Sequence, residues 1–277
     1  MTILYDAVHY YLVDHPVISQ YEWRPGQSPG ATPLFLSTTV CTYLTLTLLL
    51  RQFPILPALP TAALRAAAAA HNTVLCLLSL VMAAGAALSA LHQTPPDNPA
   101  WPLCFPLNIP SKTAGPTFFW AHVFYFSKIL EFADTLLILL RGARRRLSFL
   151  HVYHHAAVVG MCYAWLSAPQ SLFPVGIVTN SAVHVVMYGY YLLAALGFRP
   201  PWKKAVTNCQ IAQFLFGYVI SGVTLYLHVK GPGCAGMWSW VLNMMFVTSL
   251  LVLFLNFHRK NYGGRRLGSA VEKNKRI

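Results

Sequence analysis

Seven apolar runs divide the chain, at roughly 33–50, 69–91, 117–140, 149–168, 171–197, 205–229 and 237–257. Each approaches the length of about 20 residues that lets a helix cross a bilayer core. Prolines punctuate the gaps, with Pro54, Pro57 and Pro60 after the first run and Pro95, Pro96, Pro99 and Pro102 after the second. Pro200 and Pro201 follow the fifth. Proline stops helices and favours turns. The pattern therefore predicts an all-α integral membrane protein, a bundle of seven transmembrane helices over 33–257. Residues 1–32 are expected as an N-terminal segment and 258–277 as a basic tail. An alanine stretch from Ala66 to Ala70 leaves the start of the second span open. No secretory signal peptide is expected, because Asp6, Asp14 and Glu22 interrupt the first 30 residues without a basic stretch leading into an apolar core.

Composition agrees. Charged residues make up only 10% of the chain, against about 25% in a soluble domain, so too little polar surface exists to face water. The net charge is +13. In a soluble protein that would suggest nucleic acid, but here the basic residues follow the topology. Arg51, Arg65, Arg141, Arg144, Arg145, Arg146, Arg199, Lys203 and Lys204 fall in alternate loops, and Arg259, Lys260, Arg265, Arg266, Lys273, Lys275 and Arg276 in the tail. The opposite loops hold only Arg24, Lys112 and Lys230. By the positive-inside rule the C-terminus is cytosolic and the N-terminus lumenal. No nucleic-acid partner is expected.

Several spans carry polar residues that lipid would not tolerate singly. Lys128, Glu131 and Asp134 follow an i, i+3, i+6 spacing and share a helix face. His151, His154 and His155 follow i, i+3, i+4. Asn180, His184, Met187, Tyr188 and Tyr191 trace one stripe of the fifth span, and Asn208, Gln210 and Gln213 lie on the sixth. Ion pairs and amides also serve simply to lock helices together. Depth favours a site. At about 1.5 Å per residue, the histidines lie roughly 7–14 Å from Arg146, Asp134 to Lys128 about 10–20 Å from Arg141, Gln210 about 9 Å from Lys204 and His184 about 20 Å from Arg199. Four spans thus bring polar groups to the cytosolic half, under a rim of Arg144, Arg145, Arg146, Lys203, Lys204 and Arg259.

Imidazole can act as nucleophile, base or metal ligand. A His-x-x-His-His box also occurs in membrane di-iron desaturases and hydroxylases, which need about eight histidines. Here only the box and His184 lie at one depth, while His71 and His122 look isolated. Four ligands could hold one zinc but not a di-iron centre. Direct imidazole chemistry is therefore expected, with no metal and no cofactor. A metal-dependent desaturase or hydroxylase and a seven-span receptor or transporter are the alternatives.

The motifs Lys128-x-x-Glu131-Phe-Ala-Asp134-Thr135, His151-Val-Tyr-His154-His155, Asn180-x-x-x-His184-x-x-Met187-Tyr188 and Gln210-Ile-Ala-Gln213-Phe214 occur in that order. Together they resemble the ELO-type fatty acid elongase family of membrane condensing enzymes; residues 1–110 match only in general character. The resemblance implies an acyltransferase, a very-long-chain 3-oxoacyl-CoA synthase of the endoplasmic reticulum membrane. It would condense acyl-CoA with malonyl-CoA, with ketoacyl reductase, dehydratase and enoyl reductase partners completing the cycle. Membrane lipid and a second copy of the chain are further expected partners. It also implies an acyl-imidazole, expected on His154. His184 would assist at the thioester or in decarboxylation, and His151 and His155 would orient groups or relay protons. Asn180 and Gln210 would be oxyanion donors, supported by Lys128, Glu131, Asp134 and Tyr188. The cationic rim would hold CoA.

Two further expectations concern the ends of the chain. Of six cysteines, only Cys104 and Cys234 fall in lumenal loops, where an oxidising compartment would let them pair; two unpaired thiols are the alternative. Lys273 and Lys275, third and fifth from the end, match a dilysine signal for retrieval to the endoplasmic reticulum, or else form an ordinary basic tail.

Overall fold

The computed structural model describes residues 3–53, 60–107 and 113–263. Lys273 and Lys275 lie outside the described residues. Two short helices, α1 (Ile3–His9) and α2 (Pro16–Ser19), flank a π-helical turn at Tyr10–Asp14. The long helices follow: α3 (Pro33–Gln52), α4 (Thr61–Gln93), α5 (Pro116–Leu130), α6 (Phe132–Leu140), α7 (Phe149–Ser167), α8 (Phe173–Ala195), α9 (Lys203–Lys230) and α10 (Met237–Tyr262). Among the described residues there is no strand, only two isolated backbone bridges, Glu22 with Ala114 and Pro106 with Cys234.

Five helices, α3, α4, α8, α9 and α10, are long and apolar enough to cross a membrane. Their outer faces carry Leu48, Leu215, Val219, Leu242 and Val252, all exposed, as expected where lipid is the solvent. The chain is thus a multi-span helical membrane protein. The remaining two apolar runs look different. The third is two helices, α5 and α6, because the ladder breaks at Glu131, where a tight turn joins Asp134 N–H to the Glu131 carbonyl at 3.0 Å. No proline or glycine sits there. Ser127, buried one turn earlier, donates its hydroxyl to the Phe124 carbonyl at 2.8 Å, a back-bond that competes with the ladder and bends helices. The fourth run, α7, spans 19 residues and begins with the three histidines.

The expected boundaries shift at two other places. Helix α4 starts at Thr61, eight residues before the expected 69, because the alanine run is itself helical. Helix α10 runs on to Tyr262, past the expected end at 257.

Helix α4 is the spine. Its most extensive interface is with α8. Ala68, Asn72, Leu75, Ser79, Met82, Ala86 and Ser89 recur every three or four residues and are buried. Small residues in such a stripe let two backbones approach closely, which is how helices associate in lipid. Gly85 extends this logic to α5, since a Cβ there would collide with the Trp120 indole.

One end of the bundle is tied shut. Cys104 and Cys234 form a disulfide with Cα atoms 4.9 Å apart. Beside it the Ala235 N–H donates to the Phe105 carbonyl at 2.8 Å, and Ser171, between α7 and α8, accepts from the Phe105 N–H at 2.9 Å. Gly236 adopts a left-handed φ of 73° at the start of α10, against the backbone of Pro169 and Gln170. A second tie joins the N-terminal segment to α5. There the Trp23 N–H donates to the Thr113 carbonyl and the Gly115 N–H to the Tyr21 carbonyl, both at 2.7 Å. The histidines of α7 sit at the other end of that helix.

Candidate active site

Helices α5 and α6 carry the polar groups that α7 and α8 meet. Lys128, at the end of α5, is 1% exposed, and Glu131, in the break, is 2% exposed. The Lys128 ammonium donates to Glu131 Oε1 at 2.7 Å and to Asn180 Oδ1 of α8 at 3.1 Å. It also lies over the Phe124 ring, 4.3 Å from its centroid. A buried charge survives only if paired and hydrogen-bonded, and here one ammonium has three favourable partners.

His184, one turn along α8, places Nδ1 between two of these groups. The Lys128 ammonium is 3.3 Å away and Glu131 Oε1 is 3.2 Å away. With its proton on Nδ1 the ring donates to Glu131 and leaves a lone pair on Nε2. With the other tautomer it accepts from Lys128 and carries the proton on Nε2. The pair of charges thus frames a ring that can hold or give up a proton at Nε2.

Asp134 faces the same helix one turn further. Its Oδ2 accepts from the Tyr188 hydroxyl at 2.9 Å, and its Oδ1 accepts from His71 Nε2 of α4 at 3.1 Å. Lys128, Glu131 and Asp134 therefore all meet α8, on the shared face that their spacing predicts, despite the break between them. The expected isolation of His71 is corrected by this bond, and that of His122 by bonds to Tyr21 at 2.9 Å and to the Pro29 carbonyl at 2.9 Å.

The histidine box sits on the first turns of α7. Ser148 caps that helix, its hydroxyl accepting from the His151 N–H at 3.2 Å, the arrangement a serine N-cap favours. Capping sets where the first turn starts and so where all three rings point. His151 Nε2 shares a 2.8 Å hydrogen bond with the Thr135 hydroxyl, which meets the Tyr43 hydroxyl of α3 at 3.1 Å. The His155 ring lies 4.4 Å from that of His151 and 5.6 Å from that of His154. His154 and His155 differ from the rest in that each keeps a buried Nδ1 with no partner. Buried polar atoms are nearly always bonded, so these two mark a place suited to another polar group. Among the described residues the four histidines do not bring three ligand atoms within 4.8 Å of one another; the grouping that does is His9, Asp14 and His92, near the N-terminus.

Gln210 of α9 approaches by donating to Met187 Sδ at 3.4 Å, a weak acceptor. Tyr191 is 41% exposed, its ring 6.2 Å from Tyr188. Asn208 is exposed on α9. The basic residues lie at helix ends: Arg144, Arg145 and Arg146 form a single 3-10 turn before α7, Lys203 and Lys204 start α9, and Arg259 lies in the last turn of α10. Sequence reading missed Tyr43 and the partner of His71, and named Thr135 only as the end of a motif, without a role. A groove of about 1060 Å³ runs between α3 and α5–α6, lined by Leu46, Leu50, Ile129 and Leu136 and reaching Tyr43 and Thr135.

A buried lysine, glutamate and histidine cluster packed on the membrane-length helix α8, beside a capped histidine box, defines an integral membrane protein with a polar site enclosed in its helices. The profile of the ELO: GNS1/SUR4 family matches residues 28–270. Similar proteins include "Fatty acid elongase 3-like" of Arabidopsis thaliana, 28% identical over 96% of this chain and 95% of the relative. "Fatty acid elongase A" of Dictyostelium discoideum is 32% identical over 88% of this chain and 89% of its own length. "Very long chain fatty acid elongase 5" of Xenopus laevis is 37% identical over 50% of this chain and 47% of its own. The chain belongs to the ELO family of fatty acid elongases.

Proposed function

We propose that this chain is the condensing enzyme of a fatty acid elongation cycle. It joins an acyl-CoA to malonyl-CoA and releases a 3-ketoacyl-CoA, carbon dioxide and CoA. The observation that carries the reading is the pair of unpartnered, buried Nδ1 atoms on His154 and His155, in a chain whose Lys128–Glu131–His184 cluster is sealed from solvent.

The first half-step needs a nucleophile. His154 attacks the thioester carbonyl, the C–S bond breaks, and the imidazole proton leaves with the CoA thiol. His151 is engaged by Thr135, which leaves it the orienting role. In the second half-step malonyl-CoA loses carbon dioxide. The electron pair left on its α-carbon forms the new C–C bond to the acyl carbon. The C–N bond to imidazole breaks, and the ring takes back one proton. His184, framed by Lys128 and Glu131, assists this step at Nε2. Asn180 gives its oxygen to Lys128, which turns its NH2 away to donate to a developing oxyanion. Gln210 can exchange its weak sulfur acceptor for the same purpose. The apolar groove reaching Thr135 offers space for a lipid chain. The basic residues at the helix ends suit a polyanionic CoA, with no cofactor beyond the two substrates.

Topology follows the same reading. The broken α5–α6 rod and α7 are the sixth and seventh spans beside the five long helices. The N-terminus is lumenal and the C-terminus cytosolic, in the endoplasmic reticulum. The ketoacyl reductase, dehydratase and enoyl reductase are the expected partners. The test is conversion of acyl-CoA and labelled malonyl-CoA by purified protein in lipid nanodiscs. Wild type is expected to form 3-ketoacyl-CoA and His154→Ala none. Near-normal conversion by the folded variant rules out the nucleophile.

A further inference from the structure

Asp134 is the charged residue of this region that does not meet Lys128. Both of its oxygens are engaged, one by His71 from α4 and one by Tyr188 from α8. It therefore bridges the two helices that share the largest interface of the bundle. Tyr188 is fully buried, one turn beyond His184, and the two rings lie 5.5 Å apart. His71 faces Tyr188 edge-on at 6.4 Å. The chain of contacts runs His71, Asp134, Tyr188, and then the flank of His184. Among the described residues no hydrogen bond joins His71, Asp134, Tyr188 or His184 to His154, whose helix is set by the Ser148 cap.

We propose that His71 is a positioning residue for the malonyl half of the reaction, acting through Asp134 and Tyr188 on His184. The proposal rests on the condensation reading above and adds a division of labour to it. A carboxylate held by two donors cannot turn about its Cβ–Cγ bond without losing one. With His71 gone, Asp134 keeps Tyr188 alone, and the hydroxyl that sets the Tyr188 ring loses a fixed acceptor. A ring packed against His184 then moves the side chain expected to assist decarboxylation and C–C bond formation. Acyl transfer to His154, with expulsion of the CoA thiol, draws on α7 and has no member in this chain of contacts. His71 thus separates the two half-steps, which a general contribution to folding would not do.

The experiment uses full-length protein in nanodiscs and measures both half-steps. One assay reads free CoA released from acyl-CoA alone; the other reads carbon dioxide from carboxyl-labelled malonyl-CoA in the presence of acyl-CoA. His71→Ala is expected to release CoA within about twofold of wild type and to lose at least about tenfold in kcat for carbon dioxide, the scale of one hydrogen bond to a charged group. His71→Gln places an amide Nε2 where the imidazole Nε2 stood and is expected to recover most of that loss. Tyr188→Phe removes the same chain from its other end while keeping the ring, and should reproduce the split even if His71→Ala does not fold. Equal slowing of both half-steps, wild-type carbon dioxide release in His71→Ala, or failure of the Gln rescue would each overturn the proposal. Absence of CoA release from acyl-CoA alone by wild type would instead overturn the acyl-imidazole reading, and the division of labour with it.

Discussion

Replacing Lys128 with Met isolates the energetics of the site from its chemistry. Methionine fills a similar volume and can still lie along Phe124, so the change is chiefly one of charge. Glu131, 2% exposed, then keeps only His184 at 3.2 Å. Stranding one partner of a buried ion pair costs about 3–5 kcal/mol. Replacing both, as Lys128→Met with Glu131→Met, removes the uncompensated charge. That change ranges from neutral to stabilising in buried pairs, less about 1–3 kcal/mol for the His184 Nδ1 left without either neighbour. The single variant should therefore be the less stable of the two, although both lose activity. For a domain of this size about 1 kcal/mol moves the midpoint by roughly 2–4 °C, so the single variant should melt on the order of 10 °C below wild type. The double variant should regain most of that shift. Thermal unfolding in one fixed detergent and lipid mixture reads the order directly. A single variant as stable as wild type, or a double variant whose loss is the sum of two large single losses, would refute the reasoning that the pair is a mutually dependent buried unit.

Other outcomes follow from other parts of the fold. Cys104→Ser opens a loop closed over a sequence separation of 130, and the chain-entropy description puts the loss at no more than about 4–5 kcal/mol; non-reducing peptide mapping should recover a linked Cys104–Cys234 pair from wild type. Gly85→Ala places a Cβ into the Trp120 indole and should lower the melting temperature, whereas Gly160→Ala, whose Cβ position meets no atom of another element within 4 Å, should leave it almost unchanged. Changing Lys273 and Lys275 to Ser should let a tagged protein reach later secretory compartments, and unchanged reticular staining would argue against a retrieval signal.

The helices and the site were readable from the sequence to different degrees, for physical reasons. Charges and histidines at helical spacing are conspicuous in an apolar chain, so Lys128, Glu131, Asp134 and the box on α7 could be singled out without knowledge of their neighbours. Which helix each meets was not readable, because pairing across the bundle leaves no periodic trace. His71 looked isolated because its partner Asp134 lies 63 residues away. Tyr43 was passed over because a tyrosine is unremarkable in a span, and Thr135 entered only as the end of a motif; the 2.8 Å contact with His151 gives it its place. The break at Glu131 had no proline or glycine to announce it. The early start of α4 was hidden in alanines, which are strong helix formers yet carry little of the apolar weight that marks a span.

In the proposed reaction His154 carries the acyl group between the two half-steps. The direct measurement is mass spectrometry of the purified full-length protein after incubation with acyl-CoA and no malonyl-CoA. If His154 is the nucleophile, up to about one CoA per site is released and one acyl adduct forms, mapped to His154 and discharged on adding malonyl-CoA. An adduct on a cysteine or on another histidine, or CoA release only when malonyl-CoA is present, would contradict it.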